Sequence, residues 1–196
     1  MQPQTFIFFG PSGSGKGTQA KLVQEELKKK DPERDIIYVE TGSKFRELAE
    51  GDSYTAKLIK DILNKGELTP EFLPIWIWTE YLVKNVSGDE HLFFDGSPRK
   101  PDEAFILDSA IRFYKRKNPI VISLEVSHEW ATKLLKNRGR SDDNDEEIKK
   151  RLDWYDENVV EAMTYFKNNP DYRFIPINGE RTIEEVHKDM MNQIGL

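Results

Sequence analysis

The sequence predicts an α/β domain built on a parallel sheet, and three observations carry that prediction. Strand-like runs alternate with helix-like runs along all 196 residues. Most of the strand-like runs are almost continuously apolar or β-branched, as strands covered on both faces are. The first of them opens directly into a glycine-rich loop that is followed by a helix-compatible stretch. Such alternation calls for right-handed crossovers with helices on both faces of the sheet, which makes a three-layer sandwich.

The strand candidates are Thr5–Phe9, Ile36–Val39, His91–Phe94, Ile120–Val126 and Tyr172–Ile177, a five-stranded sheet. Ligands of such sheets bind beyond the carboxyl ends of the strands. That rule gathers the segments after Phe9, Val39, Phe94 and Ile177 around one cleft. The segment after Phe9 reads Gly10-Pro11-Ser12-Gly13-Ser14-Gly15-Lys16-Gly17-Thr18 and is a phosphate-binding P-loop. Its glycines let the backbone curl so that successive N–H groups point at phosphate oxygens. A helix starting near Lys16 adds its positive dipole end. Lys16 itself reaches the outer phosphates of a nucleoside triphosphate, and a hydroxyl at the loop exit can bind magnesium. In this chain Gly17 follows the lysine, and the hydroxyl comes one place later, at Thr18.

Two segments do not fit a plain crossover. Residues from Thr41 to about Tyr81 suit two or three short helices and form a candidate inserted lobe. The run Arg138-Gly139-Arg140-Ser141-Asp142-Asp143 is a charged loop between two helices. Asn144 is placed to cap the second of these, with Glu147 three residues on in a capping-box pattern. Ile148, Leu152, Tyr155, Val159, Ala162 and Phe166 then make one apolar stripe at helical spacing, a core face. Trp76, Trp78, Trp130 and Trp154 read as packing residues, and His91, His128 and His187 are scattered without assigned chemistry.

Composition narrows the class. The chain is 37% hydrophobic and 33% charged, as a globular protein is and a disordered one is not. A net charge of −6 argues against nucleic-acid and anionic-membrane surfaces. There is no cysteine, which excludes disulfides and a thiolate zinc site. No apolar run reaches membrane-spanning length, and the N-terminus lacks a basic-then-apolar leader. A cytoplasmic monomer is the default expectation.

Asp95 ends the apolar run Leu92-Phe93-Phe94 and precedes Gly96-Ser97-Pro98-Arg99. By itself Asp-Gly is a turn signal. Beside a P-loop strand, an acidic residue at a strand end is placed to hold magnesium through water. With this run in view, the chain resembles the adenylate kinases and related nucleoside monophosphate kinases. The P-loop at 10–18 resembles theirs in having Gly-Thr after the lysine. Thr41-Gly42-Ser43-Lys44-Phe45-Arg46 is similar to the family's Thr-Gly-Asp-x-x-Arg motif. Lys65-Gly66-Glu67-Leu68-Thr69-Pro70 is similar to its Lys-Gly-x-Leu-Val-Pro segment. Asp95–Arg99 resembles its Asp-Gly-Phe-Pro-Arg motif. Arg140-Ser141-Asp142-Asp143 with Lys150-Arg151-Leu152 resembles its Arg-x-Asp-Asp and Lys-Arg-Leu pair. Asn178-Gly179-Glu180-Arg181 falls where the family closes over adenine. The motifs keep the family's order and span nearly the whole chain.

The resemblance implies strand order 2-3-1-4-5, a monophosphate-binding lobe near residues 41–70 and a short lid near 137–144. It implies reversible, magnesium-dependent transfer of a phosphoryl group from ATP to AMP, giving two ADP. The donor would lie on Gly10, Ser12, Gly13, Ser14, Gly15, Lys16, Gly17 and Thr18, with Arg138 and Arg181 also on the ATP side. The acceptor would lie among Thr41, Gly42, Arg46, Glu67, Leu68, Thr69, Gly96, Arg99 and Glu103. Lys16, Arg99, Arg138, Arg140 and Arg151 would carry catalysis, the last two touching the acceptor as well. Asp95, through water, and Thr18 would serve the metal, while Asp142 and Asp143 would hold the arginines in place. Arginine suits such a clamp because its planar fork binds phosphate oxygens bidentately.

Three features depart from the pattern. The lid has room for one loop and, with no cysteine, none for zinc. Ser43 stands where the family often has Asp, and Ser97 where it has Phe. Glu103 stands where the family reads the acceptor base with glutamine. A glutamine offers one donor and one acceptor, whereas a carboxylate offers acceptors only. Two readings follow: AMP remains the acceptor, or acceptor choice is broadened or shifted toward GMP, CMP or UMP; an inactive nucleotide-binding module is a separate, remoter alternative. A GTPase is set aside, since no Asn-Lys-x-Asp motif appears.

Overall fold

A computed structural model of the chain describes residues 1–65, 69–139 and 143–196. Five strands, β1 (Thr5–Phe9), β2 (Ile36–Glu40), β3 (His91–Asp95), β4 (Ile120–Glu125) and β5 (Arg173–Asn178), form one parallel sheet. Their order is β2-β3-β1-β4-β5, the order expected. The helices are α1 (Lys16–Lys30), α2 (Thr41–Ala49), α3 (Tyr54–Asn64), α4 (Phe72–Asn85), α5 (Pro101–Phe113), α6 (His128–Arg138), α7 (Asp145–Trp154), α8 (Val160–Lys167) and α9 (Ile183–Ile194). A π-helical turn, Tyr155–Val159, joins α7 to α8.

Side chains alternate across a strand, so a run that is apolar throughout must be covered twice. Phe6 and Phe8 of β1 pack on one face with Ala20, Val23 and Leu27 of α1 and Val186, Met190 and Ile194 of α9. Ile7 and Phe9 pack on the other with Trp78 and Leu82 of α4, Leu107 and Ile111 of α5, and Ala162 and Phe166 of α8. The Phe6 and Phe93 rings stack across β1 and β3 at 4.7 Å between centroids. Such a pair adds about 0.5–1.5 kcal/mol to the area it buries. No helix among the described residues is long and apolar enough to cross a membrane.

The strand ends differ slightly from expectation. β2 and β3 each run one residue further, so Glu40 and Asp95 are the last residues of their strands. β4 stops at Glu125, and β5 begins at Arg173 and ends at Asn178. Tyr172 leaves the strand because its hydroxyl donates to the buried Asp108 at 2.7 Å. The same carboxylate accepts from the Tyr165 hydroxyl at 2.6 Å.

The segment after β2 folds as three helices. Phe45 of α2, Ile59 of α3 and Leu73 and Ile77 of α4 share a small core of their own. On α4 the tryptophans part company: Trp78 is fully buried, whereas Trp76 is 46% exposed and does not pack as expected. Two residues along a helix is a rotation of about 200°, so burying one turns the other outward.

The helix expected from Asn144 onward is interrupted. Ile148 and Leu152 of α7 pack with Ala131 and Leu135 of α6. Val159, Ala162 and Phe166 belong to the main core. The π-helical turn divides the two groups. Asn144 does cap α7, accepting from the Glu147 N–H at 3.0 Å. The return bond of a capping box is not made, because the Glu147 side chain takes Lys150 at 3.3 Å. The complete box lies at α9 instead, between Thr182 and Glu185.

Candidate active site

The loop leaving β1 is held by its own backbone. Ser14 N–H donates to the Pro11 carbonyl at 3.1 Å, and Gln19 N–H to the Gly15 carbonyl at 3.0 Å. Gly15, with φ of 87°, starts α1 in a left-handed conformation that glycine adopts freely. Ser12 is half-buried, and the Ser14 hydroxyl is buried with no protein partner. Lys16 folds back over the loop and donates to the Pro11 carbonyl at 3.3 Å.

Gly13 also has a positive φ, and a Cβ there would lie 2.5 Å from the Ala131 carbonyl oxygen of α6. Gly13→Ala therefore forces the loop off α6, adding a left-handed strain of about 1–2 kcal/mol to the clash. ATP affinity is expected to fall at least about tenfold, equivalent to about 1.4 kcal/mol. Calorimetric titration with ATP alone, beside a melting curve, checks this.

Four other charged residues act on the Lys16 ammonium. Burial holds it below the ordinary lysine range, Asp95 opposes that, Arg99 and Arg138 add to it, and Glu40 opposes it weakly. These residues come from four places: the ends of β2 and β3, the loop after β3, and α6. The strand register brings Asp95 opposite Phe8, two residues before the P-loop begins.

Register also accounts for the glycine after the lysine. A Cβ on Gly17 would lie 3.3 Å from the Asp95 Oδ2. Glycine lets the first turn of α1 approach that carboxylate, and Thr18, one place on, is exposed. The same Asp95 oxygen accepts from the Tyr38 hydroxyl at 2.9 Å. Burial and then the Asp95 charge push the Tyr38 phenol well above its usual range, so it stays protonated and donating. A magnesium ion shared with phosphates needs oxygen ligands and as few as one protein carboxylate. Asp95 beside the P-loop fits that requirement.

The acceptor-side residues lie along α2 and the loop after β3. The Arg99 Nε–H donates to the Gly96 carbonyl at 2.8 Å. Burial lowers the affinity of its guanidinium for the proton, with Glu103 and then Asp95 acting the other way. Gly96 has φ of 82°, and a Cβ there would crowd the Arg99 guanidinium at 3.4 Å. The hydroxyls of Thr41 and Ser97 lie 2.8 Å apart, joining α2 to this loop. Arg46, half-exposed, is 3.6 Å from Glu40, and its guanidinium passes within 3.5 Å of where a Gly42 Cβ would be.

Asp143 binds two of the arginines expected around the lid. Arg138 donates to it through Nε at 2.9 Å and through its terminal nitrogen at 2.7 Å. Arg151 reaches the same carboxylate at 2.9 Å. This is the holding role expected of Asp143. Arg140 and Asp142, like Glu67 and Leu68, lie outside the described residues. Arg181 donates to the Asn178 carbonyl at 2.9 Å and to Asp189 at 2.6 Å, joining the end of β5 to α9. Its neighbour Gly179 abuts the P-loop, where a Cβ would come 3.5 Å from the Ser14 carbonyl oxygen.

A narrow slot opens beside Arg99. Thr41, Phe45, Thr69, Pro74, Arg99, Lys100, Glu103 and Trp154 line it, around a free volume of about 20 Å³. Its walls must part to admit anything much larger than water. Phe45, Pro74 and Trp154 are slot residues that the sequence did not single out. Trp154 lies one helical turn after Arg151, and that i, i+3 spacing was the available signal. Glu103 is 3% exposed, and its carboxylate accepts the Arg99 backbone N–H at 3.2 Å.

Known proteins share this sequence pattern. The family model described as adenylate kinase matches residues 8–170. An adenylate kinase of Prochlorococcus marinus (strain MIT 9515) is 34% identical over 186 residues, covering 94% of this chain and 97% of that one. One from Flavobacterium psychrophilum is 33% identical over 193 residues, with 96% of both chains covered. One from Azobacteroides pseudotrichonymphae is 30% identical over 190 residues, covering 95% and 94%. With its five parallel strands in the order 2-3-1-4-5 and its P-loop at the end of β1, the chain belongs to the adenylate kinase family of phosphotransferases.

Proposed function

We propose that the chain transfers the γ-phosphoryl group of ATP to the phosphate of AMP, reversibly and with magnesium, giving two ADP. One observation carries the reading: Asp95, Arg99 and Arg138 all act on the Lys16 ammonium at a P-loop, and Asp95 acts on Arg99 as well. In the forward direction an oxygen of the AMP phosphate bonds to the γ-phosphorus. The bond to the β,γ-bridging oxygen breaks, and ADP leaves with that electron pair. The attacking oxygen is already anionic, so no strong general base is needed, and catalysis rests on positioning and positive charge.

In this reading the backbone from Gly10 to Thr18 cradles the donor, and Lys16 holds its outer phosphates. Arg46 and Arg99 hold the acceptor phosphate, within a loop shaped by Thr41, Gly42 and Gly96. Arg138, Arg140 and Arg151 clamp the transferring group, in a lid spanning residues 137–144. Residues 41–70 act as the acceptor-binding lobe, with Glu67, Leu68, Thr69 and Glu103 on the base side. Arg181 serves the donor's adenine side once freed from its present partners. Bound to the donor, magnesium neutralises phosphate charge; Asp95 through water, and Thr18, are the residues assigned to it. The reading describes a cytoplasmic enzyme of small nucleotides. A coupled assay of ADP formation from ATP and AMP tests it. No turnover with intact ATP binding would leave a binding module instead.

A further inference from the structure

Among the described residues, Glu103 is the one carboxyl group lining the slot, and two aromatic residues, Phe45 and Trp154, line it as well. Once its walls part, a planar base can lie against such aromatic side chains, and the groups at its edge decide which base is read. Among the described residues, the cations nearest Glu103 are engaged elsewhere. The Arg99 Nε–H is turned to the Gly96 carbonyl, and Lys100 pairs with Glu71 at the start of α4. From α2 the slot receives Thr41 and Phe45, and from α7 Trp154, all of them neutral. The Ser97 hydroxyl, the Arg99 backbone N–H and the Arg99 and Lys100 charges favour the carboxylate, but burial outweighs them. The group is pushed up to about 7. Both protonation states are therefore populated near neutral pH.

We propose that Glu103 selects the acceptor base by its protonation state, the neutral acid taking adenine and the carboxylate taking guanine. The inference rests on the slot being the acceptor-base site, as in the reading above. A neutral carboxylic acid carries one O–H donor and one carbonyl acceptor, the same pair as a carboxamide. Its O–H donates to adenine N1, and its carbonyl accepts from the adenine N6 amino group. The carboxylate has acceptors only and would oppose the N1 lone pair. It matches guanine instead, accepting from N1–H and from the N2 amino group. The Ser97 hydroxyl serves either state, since it rotates to donate or accept.

The test is kcat/KM for AMP and for GMP, at saturating magnesium-ATP, from about pH 6 to about pH 8, because kcat/KM reports groups of the free enzyme. Titration of the acceptor phosphate is common to both nucleotides and cancels in their ratio. The AMP-to-GMP ratio is expected to fall about tenfold per pH unit, about a hundredfold across the range. In Glu103→Gln, which keeps one donor and one acceptor at every pH, the ratio is expected to stay level. A level ratio in the unaltered enzyme, with AMP turned over, overturns the proton-dependent selection alone. No turnover of any monophosphate at any pH overturns the proposed function and this inference with it.

Discussion

Lys16→Met is expected to abolish turnover and to leave the fold intact. The loss follows from where the ammonium stands. It lies against the Pro11 carbonyl inside the loop, where burial and two arginines disfavour its charge and Asp95 opposes them. Phosphoryl transfer asks the protein mainly for positive charge already in position. Removing one such donor from a comparable site lowers kcat by about 10²–10³-fold, and a full charge on the transferring group lies at or beyond the top of that range. The fold survives because the loop is closed by backbone bonds, from Ser14 to Pro11 and from Gln19 to Gly15, which the substitution leaves in place. Burial of the ammonium is itself unfavourable, so the melting temperature is expected to hold or rise. Single-turnover kinetics beside a melting curve decide the matter. Near-normal turnover would remove Lys16 from the catalytic set.

Asp143→Ala is expected to produce the second-largest loss, without touching a nucleotide. Its carboxylate is 1% exposed and takes Arg138 and Arg151 together. Removing it takes away the carboxylate that Arg138 and Arg151 share, while Arg151 keeps its bond to the Glu147 carbonyl. Breaking a fully buried ion pair from one side costs about 3–5 kcal/mol, and the partial exposure of Arg138 (33%) and Arg151 (22%) puts the loss here below that range. Part of that appears as lost stability around α6 and α7, and part as arginines no longer placed for the transferring group. A fall in kcat of about 10²-fold is expected, since the positioning of charge is what the reaction needs. ATP affinity should change less, because the P-loop backbone is untouched. Asp143→Asn keeps the shape and some hydrogen bonding, and should fall between. Equal losses in kcat for Asp143→Ala and Asp143→Asn, with unchanged melting, would assign the effect to charge alone.

Much of the fold could be read from the chain because β1, β3 and β4 are buried on both faces and therefore mostly apolar. β5, at the edge, alternates, and there the reading slipped by one residue. Tyr172 looks like a strand residue by composition, and only the buried Asp108, more than sixty positions away in sequence, draws it out of the strand. The cap at Asn144 was legible as a local pattern. That Glu147 would prefer Lys150 was not, since both choices lie within one helical turn. The P-loop, Asp95 and Arg99 could be read because each follows a strand that could itself be recognised. The slot could not: Phe45, Pro74 and Trp154 come from three helices, and nothing local marks them as neighbours. The reason for Gly17 is of the same kind. It depends on the register of β1 against β3, which carries Asp95 up to the first turn of α1.

The π-helical turn at Tyr155–Val159 has a consequence for how this architecture can vary. It marks a seam between two packing units. On one side, Ala131, Leu135, Ile148 and Leu152 of α6 and α7 make a small core, with Val126 packed against it. On the other, Val159, Ala162 and Phe166 belong to the body of the molecule. Chain added between residues 139 and 144 would extend a hairpin that is already sealed by its own core, and would leave the packing of the main sheet unaltered. Its entropic penalty would be small, about 0.6 kcal/mol for each doubling of loop length. The connection between α6 and α7 is thus free to change in length while the sheet beneath it stays the same.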